Sequence, residues 1–415
     1  MNKFLTISII ILLNLTFVFS VKAQIKLPAI VSSDMVLQRN TTINLWGWAS
    51  PLEKITIKTS WTKNEINVTA NNEGTWKIEV ATTNSKEPQT ISLKSKTSNI
   101  LLENILFGEV WLCSGQSNMQ MHLNEPVIGG SSAIMRAKNP NLRLFNVKKT
   151  ASKTPQNDFE KNDGWKTTSP ENVANFSAVA YFFGDQLQEI LDVPVGLIHS
   201  SWGGSKVEAW MSYEALNEFQ KIDLSDFNEK SKPNQTQVVL FNAMINPLIN
   251  YKIKGAIWYQ GEANRLNPEE YKKLFPAMVK DWRTHWGIGD FPFYYVQIAP
   301  FNYGNNKMFD FPKNSAFIRE AQLDCLDLIP NSGIAITLDL GVATDIHPPK
   351  KKEVADRLLM NALSQTYNIK GIKYFSPTYQ SLEIKDNAIK LSFKNIGMGL
   401  YAFDTLKDFE IAGED

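Results

Sequence analysis

The sequence predicts an α/β protein: a doubly wound parallel sheet with helices on both faces, preceded by a small N-terminal β-sandwich and followed by the start of a C-terminal β region. Three observations predict this fold class. Residues 24–106 alternate apolar with polar residues in short runs, residues 107–368 alternate unbroken apolar runs with helical stretches, and the first pattern returns in 369–415. Alternation is typical of strands with one face in water, whereas unbroken apolar runs are typical of strands covered on both faces.

Residues 1–23 have the pattern of a signal peptide. Lys3 precedes an apolar run that extends to about Phe19, and Val21 and Ala23 stand at positions −3 and −1 of a cleavage point. No later stretch approaches the roughly 18–20 apolar residues that cross a bilayer. We therefore expect an exported protein, periplasmic or extracellular, whose mature form has no membrane span.

The segment after the cleavage point, 24–106, consists of short candidate strands separated by turn signals. Turns recur about every ten residues, which is typical of a small antiparallel sandwich. Two similar candidate strands follow residue 369, and we interpret 369–415 as a partial C-terminal β region. The candidate strands of both segments are 42–48, 54–59, 75–80, 90–94, 381–385 and 388–393.

The central segment, 107–368, is predicted to alternate buried strands with helices, and this order implies a parallel sheet. The helix that starts at Pro268 has the best-defined beginning, because Pro-Glu-Glu follows Asn267. The predicted strands are 109–113, 195–199, 255–259, 293–298 and 333–338, and the predicted helices are 177–191, 268–286 and 350–367.

Composition and charge exclude several classes of function. The 43 Lys and Arg residues balance 42 Asp and Glu residues, so no basic field exists to hold nucleic acid. Two cysteines exclude a disulfide framework and an all-cysteine metal site, and the sequence has no HExxH, GxSxG, P-loop or GxGxxG motif. We expect neither a metal nor a cofactor. His199 lies inside a predicted strand and is interpreted as a hydrogen-bonded core residue.

The chemically useful residues come directly after the predicted strands. Because ligands bind outside the carboxyl ends of strands in an open parallel sheet, the turns that follow those strands should meet at one edge. A serine, a histidine and several N–H donors are what ester hydrolysis requires. From the residues alone, the serine could equally cap a helix, the glycines could form an ordinary turn, and the histidine could lie on the surface. In chain order, these turns contain Ser117, Gly203, Gly204, Asn264, Asp345 and His347.

These turns lie within four motifs: GEVWLCSGQSNM at 108–119, WGGSKVEAW at 202–210, WYQGEAN at 258–264 and DIHP at 345–348. Together these motifs resemble the sialate O-acetylesterase family of SGNH hydrolases. The stretch SSDMVLQR at 32–39 is also similar to that family's N-terminal β domain. The resemblance implies an SGNH-type (flavodoxin-like) sheet and a secreted serine esterase that removes acetyl groups from sugar hydroxyls without a metal.

The resemblance also implies roles for individual residues. Ser117 matches the nucleophile and His347 the general base, while Gly203 or Gly204, with Asn264, match the oxyanion hole. Many SGNH hydrolases place an acid three residues before the histidine, where this chain has a threonine. We therefore assign the orienting acid to the residue two before the histidine. The candidates for that orienting role are Asp345, Asp339 and a backbone carbonyl.

The substrate is less well determined than the chemistry. The first hypothesis is 9-O-acetylated sialic acid, the second is acetylxylan or another acetylated polysaccharide, and a hypothesis of another class is a non-catalytic glycan-binding protein. Arg265 could bind the carboxylate of a sialic acid through two parallel hydrogen bonds, or it could be a surface arginine. The sequence does not determine the oligomeric state. The candidate substrate-binding residues are Gln116, Gln260, Glu262 and Arg265.

Overall fold

The computed structural model describes residues 24–225, 227, 232–305, 315–397 and 399–400, and the structural statements below refer to these residues. The predicted signal peptide lies outside them. Within the described ranges, no helix combines the length and apolar character needed to cross a membrane.

Strands and helices follow the patterns expected from the sequence, with some ends displaced by a few residues. The strands are β1 (Val36–Gln38), β2 (Thr42–Trp48), β3 (Lys54–Thr59), β4 (Ile66–Thr69), β5 (Thr75–Ala81), β6 (Gln89–Lys94), β7 (Asn99–Gly115), β8 (Leu142–Asn146), β9 (Trp165–Thr167), β10 (Val195–Ser201), β11 (Gly255–Tyr259), β12 (Phe293–Val296), β13 (Ser332–Ala335), β14 (Thr378–Lys385) and β15 (Ala388–Lys394). The α-helices are α1 (Ser117–Gln120), α2 (Gly130–Arg136), α3 (Pro170–Ala174), α4 (Ala178–Leu191), α5 (Tyr213–Asn217), α6 (Pro268–Trp286), α7 (Ala316–Leu328) and α8 (Lys351–Asn361).

Two predicted helices are confirmed together with their ends. The helix predicted over 268–286 is α6, which ends at Trp286 and is capped by Gly287 in the left-handed region with a φ of 61°. The helix predicted over 177–191 is α4, where Ser177 caps the N-terminus by accepting the N–H of Ala180 at 3.1 Å.

Two other predicted elements differ from the observed ones in length. The helix predicted over 350–367 divides into α8 and a π-helical turn, Ala362–Thr366. The strand predicted over 333–338 ends earlier, at the end of β13. Here the carbonyl of Ile336 accepts from the side chain of Arg357, so this backbone group bonds to a side chain. The pattern of apolar residues in the sequence does not show that a side chain takes the place of a neighbouring strand at this carbonyl.

The central sheet is mixed but largely parallel, with the strand order β13-β12-β11-β7-β10-β8-β9. Neighbours pair in parallel except β9, which is antiparallel to β8. Alternate residues of β11 face opposite sides: Ala256 and Trp258 share a core with α6, whereas Ile257 and Tyr259 share a core with α4 and α8. Helices therefore cover both faces, as the unbroken apolar runs predict.

One strand belongs to two sheets. The first part of β7, from Asn99 to Ile105, pairs antiparallel with β6, and the part from Leu106 onward pairs in parallel with β1, β10 and β11. The domain boundary predicted between 106 and 107 lies inside this continuous strand. The other N-terminal strands form the antiparallel pair β2–β5 and the antiparallel array β4-β3-β6, and β14 pairs with β15. The N-terminal sandwich and the domain limits stay predictions.

Candidate active site

The carboxyl ends of β7, β10 and β11 lie side by side. In the sheet register, Gly115 is paired with Ser201 on one side and with Tyr259 on the other. Beyond the strands, Gln116 donates its N–H to the Tyr259 carbonyl at 2.9 Å and Trp202 donates its N–H to the Gly115 carbonyl at 3.1 Å. A Cβ at Gly115, which has a φ of 140°, would lie 2.2 Å from the Tyr259 oxygen, so this contact requires glycine. The turns after the three strands are thereby held together.

Ser117 is the first residue of the short helix α1. Gln116 occupies the N-cap position, so Ser117 is not the cap of this helix. Among the described residues, neither its hydroxyl nor its backbone N–H has a hydrogen-bond partner, and its side chain is half-buried. A hydroxyl and an N–H donor on one residue are therefore both available to a bound molecule.

The glycine pair after β10 lies directly beside this serine. A Cβ at Gly203 would lie 3.4 Å from the Ser117 Cβ, so the two backbones approach closely. The N–H of Gly203 donates to the side-chain oxygen of Gln120 at 2.8 Å. Gly204 has a φ of 70°, and its N–H has no partner in the described part of the chain. Of the two predicted oxyanion donors, one is thus occupied by a side-chain amide and the other is unoccupied.

The side chain of Asn264 is fixed by neighbours on both of its amide atoms. Its Oδ1 accepts the N–H of Val207 at 3.0 Å and the Nε2 of Gln260 at 2.7 Å, and its Nδ2 donates to Glu208 at 2.8 Å. An amide nitrogen carries two N–H groups. The second N–H of Asn264 has no partner among the described residues. Glu208 lies within the WGGSKVEAW motif, where nothing in the sequence indicates a role for it, and in the structure this buried carboxylate orients the predicted oxyanion donor.

Three of the predicted substrate-binding residues, Gln116, Gln260 and Glu262, are buried within the turns. The side-chain oxygen of Gln116 accepts the N–H groups of Gly261 and Ala263 at 3.2 and 3.3 Å. These bonds fasten the turn that carries the serine to the turn after β11. The contacts of these three side chains are with the protein itself.

The fourth, Arg265, packs its guanidinium over the ring of Tyr303, 4.5 Å from the ring centroid. This geometry is a cation–π contact between the guanidinium and the aromatic ring. The side chain is half-buried.

His347 and Asp345 lie in the loop after β13. The Asp345 carboxylate accepts the backbone N–H of His347 at 2.8 Å, and the imidazole itself makes no hydrogen bond with any described residue. Burial lowers the pKa of His347 and the Lys351 ammonium lowers it further, while Asp345 and Glu125 act in the opposite direction. The imidazole is therefore biased toward its neutral form, which is the form that can accept a proton.

Asp339, the alternative orienting acid, is paired with another residue. Both of its carboxylate oxygens bind the guanidinium of Arg357, at 2.7 and 2.6 Å. This contact is the main cause that lowers the pKa of Asp339. Such bidentate pairing engages the carboxylate away from the histidine.

A buried group of charged and polar side chains connects the serine turn with the histidine loop. Asn118 donates to Glu262 at 2.7 Å and to the Ile346 carbonyl at 3.1 Å, and it accepts from Lys351 at 2.5 Å. Burial lowers the pKa of Lys351 to about 7 and raises the pKa of Glu262, whose hydrogen bond from Asn118 opposes that rise. Little in the sequence indicates this group, because Lys351 stands in a run of three lysines that is typical of an exposed surface.

His199 is confirmed as a hydrogen-bonded core residue. Its Nδ1 bonds to the Asn146 Oδ1 at 2.8 Å and its Nε2 to the Ser201 hydroxyl at 2.6 Å. Because an amide oxygen only accepts, Nδ1 carries the proton and the serine donates to Nε2. Burial lowers the pKa of His199 to about 3. Among the residues that the structure describes, no group of three or more His, Cys, Asp or Glu side chains is arranged to hold a metal ion.

Comparison with known families gives one match over most of the central segment. Residues 107–355 match the model of the family described as carbohydrate esterase, sialic acid-specific acetylesterase. This range begins within β7 and ends within α8, so it includes each turn described above.

Comparison with individual proteins extends the similarity beyond that range. The chain is 30% identical over 390 residues to the sialate O-acetylesterases of Pongo abelii and Homo sapiens, covering 85% of this chain and 73% of each relative. Among solved structures, it resembles a carbohydrate acetylesterase from Xanthomonas citri with a TM-score of 0.80 and 32% identity. That likeness covers 89% of this chain and 81% of the solved one.

Proposed function

This chain belongs to the carbohydrate esterase family of sialic acid-specific acetylesterases, and from that membership we propose that it is a serine esterase that removes O-acetyl groups from carbohydrate. The substrates that we propose first are 9-O-acetylated sialic acids. The observation that carries the serine mechanism is the position of Ser117, whose hydroxyl and N–H have no hydrogen-bond partner among the residues that the structure describes and whose backbone contacts Gly203. No metal or cofactor is needed in this reaction.

In the proposed first half-reaction, the Ser117 oxygen attacks the acetyl carbonyl while His347 takes the hydroxyl proton. The carbonyl oxygen becomes an oxyanion, which accepts hydrogen bonds from the N–H of Ser117 and the second N–H of Asn264. A further donor comes from the glycine pair, either Gly204 directly or Gly203 after the amide of Gln120 moves away. The carbon–oxygen bond to the sugar then breaks, and the sugar oxygen takes the proton from the imidazolium.

In the proposed second half-reaction, water attacks the acetyl group on Ser117. His347 removes a proton from the water and returns it to the serine oxygen as acetate leaves. Asp345 stabilises this loop through the backbone N–H of the histidine, and we retain it as the proposed orienting acid. The lowered pKa of His347 supports the role of base, because the imidazole is neutral at the start of each half-reaction.

Several further proposals rest on the sequence and on family membership. We propose that the protein is exported to the periplasm or beyond, as the signal-peptide pattern predicts, and that its N-terminal strands form a β-sandwich.

A second candidate substrate is acetylxylan or a related polysaccharide, which has no carboxylate for Arg265 to bind. The relative from Xanthomonas citri, a carbohydrate acetylesterase, supports this wider range of sugars.

The test of the proposed function is hydrolysis of an aryl acetate and of acetylated sialic acid by the wild type and by Ser117→Ala. We expect Ser117→Ala to lose turnover by several orders of magnitude on both substrates, since the nucleophile is removed. Ser131→Ala, at an exposed serine of α2, is the matched control and should keep wild-type activity. A serine-directed phosphonate should label the wild type and the control at Ser117 but leave Ser117→Ala unlabelled.

Two outcomes would reject the proposal. Activity of Ser117→Ala near that of the wild type would rule out the serine mechanism. A wild type that binds acetylated glycans but releases no acetate would favour the non-catalytic glycan-binding protein. Release of acetate from acetylated xylan but not from acetylated sialic acid would reject the first substrate and select the second.

A further inference from the structure

The residue after the proposed nucleophile connects three loops through one buried side chain. Asn118 is 1% exposed, and each end of its amide is in use. Its Nδ2 donates to Glu262 in the turn after β11 and to the carbonyl of Ile346, while its Oδ1 accepts from Lys351 at the start of α8. Ile346 directly precedes His347. The serine turn is therefore bound to the histidine loop on both sides of the histidine.

The two charged members of this group are buried without a direct ion pair. Glu262 is 5% exposed and Lys351 is 0% exposed, yet no ion pair within 4.0 Å joins them in the described part of the chain. One carboxylate oxygen of Glu262, Oε2, has no hydrogen-bond partner within the described ranges, and the Lys351 ammonium lies 5.7 Å from the centre of the Tyr259 ring. Burial of two charges costs stability, and apolar residues of the same size often replace such groups without loss. Because burial of this group lowers stability and the group lies beside the proposed nucleophile, we expect it to have a role in the reaction.

We infer that Asn118, Glu262 and Lys351 form a positioning unit that holds the His347 loop at a fixed distance from Ser117. This inference rests on the proposed function, since it assigns the task of the unit to the proposed serine–histidine pair. The bonds of Asn118 fix the backbone on the N-terminal side of His347, and the bond from Lys351 fixes it on the C-terminal side. Because the His347 ring has no hydrogen bond of its own among the described residues, its position depends on how this backbone is held.

The unit also places a charge beside the imidazole. The charged groups that act on His347 are Lys351 from α8, Asp345 from its own loop and Glu125 from the loop after α1. The lysine lowers the pKa of His347, and the two carboxylates raise it. Removal of the lysine charge should therefore raise the pKa of His347, an effect that loss of packing alone does not predict.

The experiment compares Lys351→Met with Lys352→Met in the full chain. Both variants lose one positive charge from the same helix turn, but the Lys352 ammonium pairs with Asp356 outside the unit. For Lys351→Met we expect kcat on an aryl acetate to fall about ten- to a hundredfold with little change in KM, as for misplaced catalytic groups. We also expect the acidic limb of its kcat/KM profile to move to higher pH. Lys352→Met should match the wild type in both.

A double variant separates positioning from loss of stability. Lys351→Met leaves the carboxylate of Glu262 buried without a cation, which should lower the melting temperature. In Lys351→Met/Glu262→Gln the buried site is neutral, so stability should recover while kcat stays low, because the bond from Lys351 to Asn118 is still missing. This double variant provides the kinetic comparison if the single variant does not fold.

The outcomes distinguish this inference from the proposed function. An inactive Ser117→Ala together with a Lys351→Met that equals Lys352→Met in kcat and pH profile would overturn the positioning unit alone. Recovery of wild-type kcat in the double variant would also overturn it, since the effect of Lys351 would then be one of stability. An active Ser117→Ala would instead reject the proposed mechanism itself.

Discussion

Asp345 binds the backbone of His347, not its ring: the carboxylate accepts the histidine N–H at 2.8 Å across a two-residue turn. A contact of this kind shapes the loop and, through it, the direction in which the imidazole projects. The same carboxylate also raises the pKa of His347. Loop geometry and charge are thus two separable contributions of one aspartate.

Substitution of Asp345 can separate these contributions. In Asp345→Asn the amide oxygen still accepts the backbone N–H but the charge is lost, whereas Asp345→Ala loses both. We predict that Asp345→Asn already lowers kcat/KM strongly, because the neutral side chain no longer stabilises the imidazolium formed during the reaction. Asp339→Asn should have a smaller effect, since that carboxylate binds Arg357. The measurement is kcat/KM on an aryl acetate, and a larger loss for Asp339→Asn would reverse the assignment.

The oxyanion hole can be tested through Asn264 and its partner Glu208. We predict that Asn264→Ala lowers kcat by about 10²–10³-fold, the loss typical of one oxyanion donor. Glu208→Ala should lower kcat less, because the amide remains but loses the carboxylate that orients it. Near-ultraviolet circular dichroism should show whether either buried substitution disturbs the fold. An Asn264→Ala variant that folds and keeps its kcat would remove this residue from the oxyanion hole.

Arg265 provides a test of substrate class. If its guanidinium binds the carboxylate of a sialic acid, Arg265→Ala should reduce kcat/KM on acetylated sialic acid about ten- to a hundredfold, the effect of one charge-assisted hydrogen bond. Little change is expected on a neutral aryl acetate. Arg136→Ala, at an exposed arginine of α2, is the control for loss of charge. Equal losses on both substrates would mean that the stacking of Arg265 on Tyr303 supports the loop instead.

The pH dependence follows from the direction of one pKa shift. The pKa of His347 is lowered from its ordinary value of 6.5, chiefly by burial. Since the neutral imidazole is the proposed base, kcat/KM should stay constant down to a pH below that value and then fall as the ring becomes protonated. His199, with a pKa of about 3, should add no limb in this range. A midpoint above the ordinary value in the wild type would contradict the assignment of His347 as the base.

The same shift predicts how stability changes with pH. The folded-state pKa of His347 lies below its unfolded value, so the unfolded chain binds a proton more readily as the pH falls through 6.5. The contribution of this histidine to stability is therefore full above that pH and declines below it. The difference in melting temperature between the wild type and His347→Gln should be constant above pH 6.5 and should change as the pH falls below that value. Parallel curves at every pH would show that His347 does not titrate between the two states.

Sequence patterns predicted the helices and strands that depend on local periodicity. They also predicted the site residues that the topology of the sheet brings together. The start of α6 at Pro268 follows from helix-start signals, and the meeting of Ser117 with Gly203 follows from the rule that parallel strands end at one edge. The roles of Asn118 and Glu208 did not follow from the sequence. An amide or a carboxylate in a turn stands in the same kind of sequence whether its side chain faces solvent or another loop. Which loop covers it is decided by tertiary contacts between residues far apart in the chain.

The continuity of β7 has a consequence for how the protein loses its structure. Residues 99–105 of this strand hold the antiparallel N-terminal array, and the same backbone a few residues later carries the hydrogen bonds at the centre of the parallel sheet. Because each sheet holds one part of this strand, neither sheet can move away from the other without distorting a strand that the other sheet still holds. The N-terminal strands and the sheet that ends at Ser117 are thus expected to melt in one cooperative transition, and protease cleavage near residue 106 should require that global event instead of a local opening.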